Sequence, residues 1–500
     1  VGVAWRSWHD TEWSPSEGYW DQVMLKDILE RIPKWCDPHI LVTPGHWRDA
    51  TVVNEWFTQR GLLFITSDEE GDCPFWDVHT TVYKQMPNPH RAHWPDRVLP
   101  LGYTPHTRPT LQALGMPLEK SGWVLAGQNT NDRRRQAFAA LEAIDPRKVH
   151  PSPTFAGGLP PEDYIKQLWE VAWAPSPAGN VRADSFRMWE ALEAGAVPIL
   201  DATSPAGDRN VWPDTIGCSP IPVVENWNDV GPILAEPAPM AETGVWYTKY
   251  KRDLVKTIMD DWEAEPWPEP EHRITTIITA SPLPSHPDFS ILSETVESVR
   301  ERLPGNEICI AFDGAREDNP NYTEHIRRVA WHANQYWPEV WLHWGTWKHQ
   351  AGTVKDVLPK IREGALLMVE ADTPLTGEIP FRDLVTWVYE EKFNHIRLHY
   401  DTAIHPEHKY LLKGKLSNHP VFRTVQYSQR PHVTTTRYYR ELLANISDSA
   451  RTYIEDAVYG PVANAAWDDN KLGIYAPSGN MQRSYHLDGR AGEPKGEFWS

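Results

Sequence analysis

The chain is poor in cysteine and in basic runs and has no long apolar stretch, and each shortage removes a class of protein. Its four cysteines (Cys36, Cys73, Cys218 and Cys309) in 500 residues are too scattered for a disulfide framework or a zinc knuckle, so they are expected to be reduced and mostly buried. No apolar run approaches the roughly 20 residues of a membrane helix, and the segment from Val1 to His9 lacks the basic and apolar regions of a secretion signal. A soluble, cytoplasmic protein with no membrane partner is expected. Positive charge is scarce too: 49 Lys and Arg stand against 68 Asp and Glu, and Arg133, Arg134 and Arg135 form the one basic block that stands out. That balance disfavours nonspecific nucleic-acid binding.

Tryptophan and proline are plentiful, at 26 and 45. Tryptophan stacks on sugar faces but also fills cores, so a glycan-binding protein without chemistry stays open beside an enzyme. Five hundred residues exceed one ordinary core, and two or three domains are expected. The alternation of proline and acid in 263–272 precludes a helix and predicts an extended linker. Residues 1–118 and 119–262 each show short apolar runs between helical or polar segments, as two small Rossmann-like lobes would. Residues 273–460 form a third body and 461–500 a tail or acceptor lid.

The most informative segment runs from Ala174 to Pro198. Val171, Ala172 and Trp173 suit a short central strand. Asp184 or Ser185 can cap a helix in which Phe186, Trp189 and Leu192 follow helical spacing up to a stop at Gly195. Loop amides around Gly179 and Asn180 and the helix N-terminus favour a diphosphate. Arg187 could face a phosphate, and Glu190, about two turns in, could take ribose hydroxyls, although an ordinary surface acid fits the spacing equally. Upstream, 128–136 is a polar turn opening a helix, with Arg133 or Arg134 as candidate phosphate contacts or simply a solvated helix start. Glu69, Glu70 and Asp72 lie just past a strand, where ligands gather but where solvated turn acids are commoner.

After the linker, strands and helices alternate: Ile274–Ala280, 307–312 ending at Asp313, 339–343, and 365–370 running into Asp372, with helices between. This predicts a mostly parallel sheet covered by helices. Carboxylates at successive strand ends can hold a nucleotide and a divalent metal beside a diphosphate. Glu370 and Asp372, one residue apart, would point to the same side of an extended strand.

The run from Asp184 to Leu200 resembles the donor-binding half of exostosin-like glycosyltransferases of the GT-B fold, which implies that Glu190 binds the donor ribose and that the turn at Gly179 and Asn180 meets the diphosphate. The second acid of the GT-B motif, eight residues earlier, is Arg182 here. Residues 273–460 resemble the GT-A fold of inverting family-two glycosyltransferases. That resemblance implies nucleotide contacts from Thr279 and Asp313, Mn or Mg on Asp372 with Glu370 replacing the usual first Asp, and a catalytic pair Glu455 and Asp456, with Asp456 as the base. His349 and Gln350 could reach the diphosphate or sugar, or be structural. The layout also looks like two-domain glycosyltransferases encoded by actinobacterial bacteriophages. A transferase moving sugar from a nucleotide-sugar donor to a protein or glycan acceptor, a virion protein among the candidates and DNA ranked lower, in one or two steps, is therefore expected; a sugar nucleotidyltransferase is the rival enzyme. The polar segments 426–432, 467–475 and 482–490 read either as an acceptor lid or as a packed tail.

Overall fold

The computed structural model describes residues 3–5, 22–32, 38–44, 61–66, 80–85, 95–152, 158–180, 182–205, 212–262, 274–281, 288–314, 320–401, 406–415, 420–447 and 450–487. Glu69, Glu70, Asp72 and the expected linker at 263–272 lie outside the described residues, as do Cys36 and Cys73. The chain divides into two compact units, Val1–Ala264 with Ala330–Pro338, and Glu265–Val329 with Glu339–Ser500. Among the described residues no helix is long and apolar enough to cross a membrane.

The first unit is built on parallel strands. Strands β1 (Val3–Trp5), β2 (Ile40–Pro44), β3 (Gly61–Thr66), β4 (Thr80–Gln85) and β5 (Arg97–Leu99) pair in chain order. All six residues of β3 are buried, which is why its sequence is continuously apolar rather than alternating. A second set follows: β6 (Leu125–Gln128), β7 (Val149–Ser152), β8 (Trp173–Ser176), β9 (Val197–Asp201) and β10 (Val223–Val224). β6 pairs with β7, and β8, β9 and β10 pair in turn, all in parallel. A single parallel bridge between Trp123 and Trp173 joins the two groups. The lateral order is thus β7-β6-β8-β9-β10, and the direction of winding reverses between β6 and β8. Neighbouring residues feed opposite faces. Leu125 and Trp173 pack with Phe138 and Leu141 of the helix Asp132–Glu142, while Val124 and Ala174 pack with Ile165, Leu168 and Ala191 on the other side.

The expected strand at 171–173 is displaced: β8 begins at Trp173 and runs through Pro175. Proline usually ends a strand. Here β8 pairs beyond Trp173 with β9 alone, so the missing Pro175 amide breaks no ladder. Cysteine burial is also only partly as expected, since Cys309 is buried but Cys218 is exposed.

The second unit holds one nine-stranded sheet made of β11 (Ile274–Ala280), β12 (Ile308–Phe312), β13 (Val340–Trp344), β14 (Ala365–Glu370), β15 (His395–Leu398), β16 (Leu412–Lys415), β17 (Val421–Thr424), β18 (His432–Thr435) and β19 (Leu472–Tyr475). Their order is β13-β12-β11-β14-β18-β15-β19-β17-β16. The first four are mutually parallel. β18 is antiparallel to both β14 and β15, β15 is parallel to β19, and β17 and β16 are antiparallel additions. The sheet is therefore mixed beyond β14, not mostly parallel throughout. The expected boundary at 460 does not coincide with an edge of this sheet: β19, from the segment read as a tail, is an interior strand whose four residues are all buried. Ile277, Cys309, Leu366 and Met368 face Val354, Tyr439, Leu443 and Val458 from the helices His349–Val357, Thr436–Ala444 and Ile454–Asn464. That helical layer sets the face on which the second unit gathers its acids.

Candidate functional site

In the first unit a cavity of about 260 Å³ opens beside the ends of β6 and β8. This is the point where strand order reverses, and loops diverge there at the carboxyl ends of parallel strands. Its walls come from the end of β6, the turn after β8 and the first turns of the helix Phe186–Ala194. Close packing dictates the small residues of the turn. A Cβ on Gly179 would sit 2.7 Å from the Asp184 carbonyl oxygen and 2.8 Å from that of Arg182. Gly127 has φ +131, and a Cβ there would run into the Arg187 guanidinium, whose Nε donates to the Ala126 carbonyl at 2.8 Å.

Polar side chains hold the turn after β8 from one side. Arg134, 6% exposed, donates through Nε to the Ala178 carbonyl at 2.9 Å and through Nη1 to Asn180 Oδ1 at 3.0 Å. Asn131 donates to the Gly179 carbonyl at 2.9 Å, and Thr130 Oγ1 donates to Asn180 Oδ1 at 2.8 Å. Arg133 points elsewhere: it forms an ion pair with the buried Asp201 and donates to the Glu225 carbonyl. Of the two arginines, Arg134 lines the cavity.

The helix start is open toward the same space. Ser185 is the N-cap residue with extended backbone, its side chain makes no capping bond, and its buried Oγ has no hydrogen-bond partner among the described residues. Asp184, the other expected cap, instead accepts from the Leu101 amide at 2.9 Å and from Trp189 Nε1 at 2.8 Å. Gly195 ends the helix in the left-handed region at φ 74, as its place in the sequence predicts. Glu190 is buried and accepts from Thr104 Oγ1 at 2.7 Å. Burial pushes its carboxyl above the ordinary range, against the Thr104 hydrogen bond and the Arg187 charge. Backbone donors, an unfilled hydroxyl and arginines at one end, with a carboxylate deeper in, form a site suited to an anion joined to a hydroxyl-bearing group.

In the second unit the acids meet at the carboxyl edge of the sheet. Glu370 is the last residue of β14. Asp372 is not on an extended strand with it: the Thr373 amide donates to the Glu370 carbonyl at 3.1 Å and closes a turn there. Asp372 still lies near enough to raise the Glu370 carboxyl, which burial first and Asp372 second push up to about 7, with Arg430 and Gln429 pulling the other way. Gln429 ties two acids together: its side-chain amide donates to Glu370 Oε1 at 3.3 Å, its backbone N–H donates to Glu455 Oε2 at 3.1 Å, and its side-chain oxygen accepts from the Glu455 amide at 2.9 Å. Glu455 and Asp456 both lie in the first turn of the helix Ile454–Asn464, but Asp456 is exposed while Glu455 turns toward Gln429. His486, from the tail, brings Nδ1 to 3.6 Å from Asp372 Oδ2.

Other expected residues are placed as follows. Asp313 caps the helix His349–Val357, accepting from the amides of Lys348 at 2.8 Å and His349 at 3.0 Å as well as from its neighbour Gly314. His349 thus meets Asp313 through its backbone, which sits at φ 59, while its ring packs edge-on to Tyr453. Thr279 accepts from Gln350 at 3.3 Å and lies directly across from Glu370 in the ladder. Arg182 is buried in the first unit. Thr104 had no sequence signal as a site residue, being a single polar side chain brought in by a long-range contact; Ser185 stood in the sequence only as a candidate cap, and Gln429 only as part of the polar segment 426–432. His486 stood inside the polar tail but carried no spacing that linked it to Asp372.

No family model matches this sequence, and no curated protein matches it. Solved structures similar to the chain include GalNAc-T7 with UDP, GalNAc and Mn2+, at 14% identity over 43% of this chain and 43% of that one, TM-score 0.31. S. aureus TarS 1-349 is similar at 12% identity over 43% and 61%, TM-score 0.30. UDP-glucose pyrophosphorylase complexed with UDP-glucose is similar at 10% identity over 42% and 91%, TM-score 0.28. The chain thus spans less than half of the GalNAc-T7 chain.

Proposed function

We propose that this protein is a nucleotide-sugar-dependent glycosyltransferase, with a GT-B-type donor-binding region in the first unit and a GT-A-type transfer site in the second. The observation that carries this is the meeting of Glu370 and Glu455, 85 positions apart in sequence, across Gln429 at the carboxyl edge of the second sheet. In the first unit the diphosphate is assigned to the helix start at Ser185 and the turn at Gly179 and Asn180, with Arg134 and Arg187 at its margin. Glu190 is assigned to the ribose.

In the second unit Glu455 takes the part of general base in preference to Asp456, because it faces the site. It accepts the proton of an acceptor hydroxyl while that oxygen bonds to the anomeric carbon. The bond from the anomeric carbon to the nucleoside diphosphate breaks at the same time, and its electron pair leaves with the phosphate. Asp372 and His486 give two donors for Mn or Mg. Among the described residues no group of three or more His, Cys, Asp and Glu side chains forms a metal cage, and two suffice where substrate phosphates complete the shell. A cation held there would neutralise the departing diphosphate. Thr279 and Asp313 are assigned to the nucleotide side, Asp313 by fixing the helix that starts at His349. The acceptor class proposed is protein or glycan.

The experiment is release of free nucleotide from UDP-, GDP- and dTDP-sugars with Mn2+ by wild type, Glu190→Ala, Asp372→Ala, Glu455→Gln and the Glu190→Ala Asp372→Ala double variant. A general base contributes about 10²- to 10⁴-fold, so Glu455→Gln is expected to lose at least about a hundredfold in turnover. Loss in Glu190→Ala alone would locate transfer in the first unit. Full turnover in Glu455→Gln and Asp372→Ala would refute the site in the second. No release with any donor, together with no nucleotide binding, would refute the transferase.

A further inference from the structure

Arg397 and Arg430 place two positive charges at the carboxyl edge of the nine-stranded sheet without a bonded counter-ion among the described residues. Arg397, on β15, is 8% exposed. Its Nε is buried and has no hydrogen-bond partner among the described residues. Arg430 stands in the turn before β18, lays its guanidinium over the Tyr400 ring at 4.2 Å and buries an Nη1 that is likewise without a partner. Burial pushes the Arg397 guanidinium down to about 10, with neighbouring Tyr400 and Glu455 pulling it up and Arg430 lowering it further. A fold keeps buried charge at a cost unless something satisfies it. A planar guanidinium with unused donors suits an oxyanion.

Strand register locates the pair. Arg397 stands opposite His432, which stands opposite Met368, two residues before Glu370 on the same face of β14. One strand, β18, therefore separates Arg397 from the Glu370 strand, which at about 4.8 Å per strand is about 10 Å. Arg430 lies between them, close enough to lower the Glu370 carboxyl. The pair is on the flank of β14 away from β11 and β12, the strands that end in Thr279 and beside Asp313. The nucleotide was assigned to that other flank.

We propose that Arg397 and Arg430 form an oxyanion subsite on the acceptor side of the transfer site, taking a phosphate or carboxylate group carried by the acceptor. Its assignment to the acceptor rests on the transferase function proposed above. The anion site itself rests on the two guanidinium groups alone. Such a subsite would select acidic acceptors and hold the attacking hydroxyl in register with Glu455.

The test titrates full-length protein with inorganic phosphate and, separately, with acetate, each with and without saturating UDP and Mg2+, by calorimetry. Arg430 is half-buried, so Arg430→Gln is the principal variant and Arg430→Lys keeps the charge should the first fail to fold. Wild type is expected to bind at least one anion with UDP already in place, and the ratio of phosphate to acetate affinity names the acceptor group. Arg430→Gln is expected to weaken that anion about tenfold or more with UDP affinity unchanged, and Arg430→Lys by less. Equal anion binding by wild type and Arg430→Gln would overturn the subsite. Exclusion of the anion by UDP, with Arg430→Gln weakening UDP to the same extent, would overturn the acceptor assignment in favour of the donor diphosphate. If UDP does not bind at all but the anion is still lost in Arg430→Gln, the transferase function fails and the anion subsite stands.

Discussion

Acid should loosen the second unit at one identifiable place. His432 is 1% exposed, its Nδ1 lies 2.7 Å from the Arg430 carbonyl, and its Nε2 lies 2.7 Å from the Tyr439 hydroxyl, which is itself 2.7 Å from the Tyr427 hydroxyl. These partners assign the neutral tautomer with the proton on Nδ1, donating to the carbonyl, while Nε2 accepts from Tyr439. Burial pushes His432 down to about 4, against the pull of the Arg430 carbonyl and with help from the Arg397 charge. An unfolded histidine takes its proton near 6.5, so between about 6.5 and 4 the unfolded chain binds more protons than the folded one. Stability is then complete above the unfolded value and falls as pH drops toward the folded one. At about 1.4 kcal/mol per pH unit, His432 alone should cost the fold about 3 kcal/mol by pH 4. Its ring also stacks on buried His395 at 4.1 Å, and burial holds His395 well below its ordinary value, so a second proton adds to the effect. The assay is native-state hydrogen exchange of the β14, β18 and β15 amides from pH 7 to 4.5 in wild type and His432→Gln, whose amide can still donate to the carbonyl and accept from Tyr439. After correction for intrinsic exchange, wild type should lose protection steeply and the variant less steeply by about one proton's worth. Parallel curves would refute the neutral buried histidine as the source.

In the first unit, Glu193 is completely buried and receives Lys251 at 3.0 Å, Arg108 at 3.0 Å and the Tyr247 hydroxyl at 2.8 Å. Glu193→Ala leaves the buried Lys251 without its carboxylate partner and the part-buried Arg108 with Asp27 alone, and should cost about 3–5 kcal/mol in urea unfolding; a loss under about 1 kcal/mol would show that the cluster is hydrated. Gly179→Ala forces a Cβ against two carbonyl oxygens and should cost about 1–3 kcal/mol while weakening nucleotide binding; unchanged affinity by calorimetry would remove the Gly179 turn from the site.

The parallel strands of the second unit are readable from sequence because each is a run of buried apolar residues bounded by polar turns: β11 has the bounds its sequence suggests, and β12 and β13 shift by one residue. The strands from β15 to β19 are not, since four-residue segments such as His395–Leu398 or Leu472–Tyr475 acquire their meaning from partners dozens of residues away. The same distinction divides the sites. Gly179 announces a tight turn after β8 and Gly195 the end of the helix that follows it, and a carboxylate at the end of β14 is visible in one dimension. Which of Glu455 and Asp456 faces inward depends on the helix rotation set by Ile454, Val458 and Val462 packing beneath, and adjacent acids look alike in sequence. Arg133 and Arg134 present the same difficulty, with opposite destinations for two neighbouring guanidinium groups.

The two units put their polar groups at equivalent places, the carboxyl edges of parallel strands, but give them opposite electrical character. Around the first cavity the helix start, Arg134 and Arg187 supply positive potential, and the one carboxylate deep in it, Glu190, is kept from ionising easily by burial. An anion can enter there without any added cation. At the second edge Glu370, Asp372 and Glu455 crowd together, and the rise of Glu370 to about 7 registers its burial first and the nearby carboxylates of Asp372 and Glu455 after it. A diphosphate could approach that edge only if positive charge accompanied it. Arg397 and Arg430, each with one buried guanidinium nitrogen that has no hydrogen-bond partner among the described residues, stand off to the other flank of β14 and add positive charge there. If the proposed transfer site is right, charge alone would separate a place for a cation-carried donor from a place for an anionic acceptor along that sheet edge.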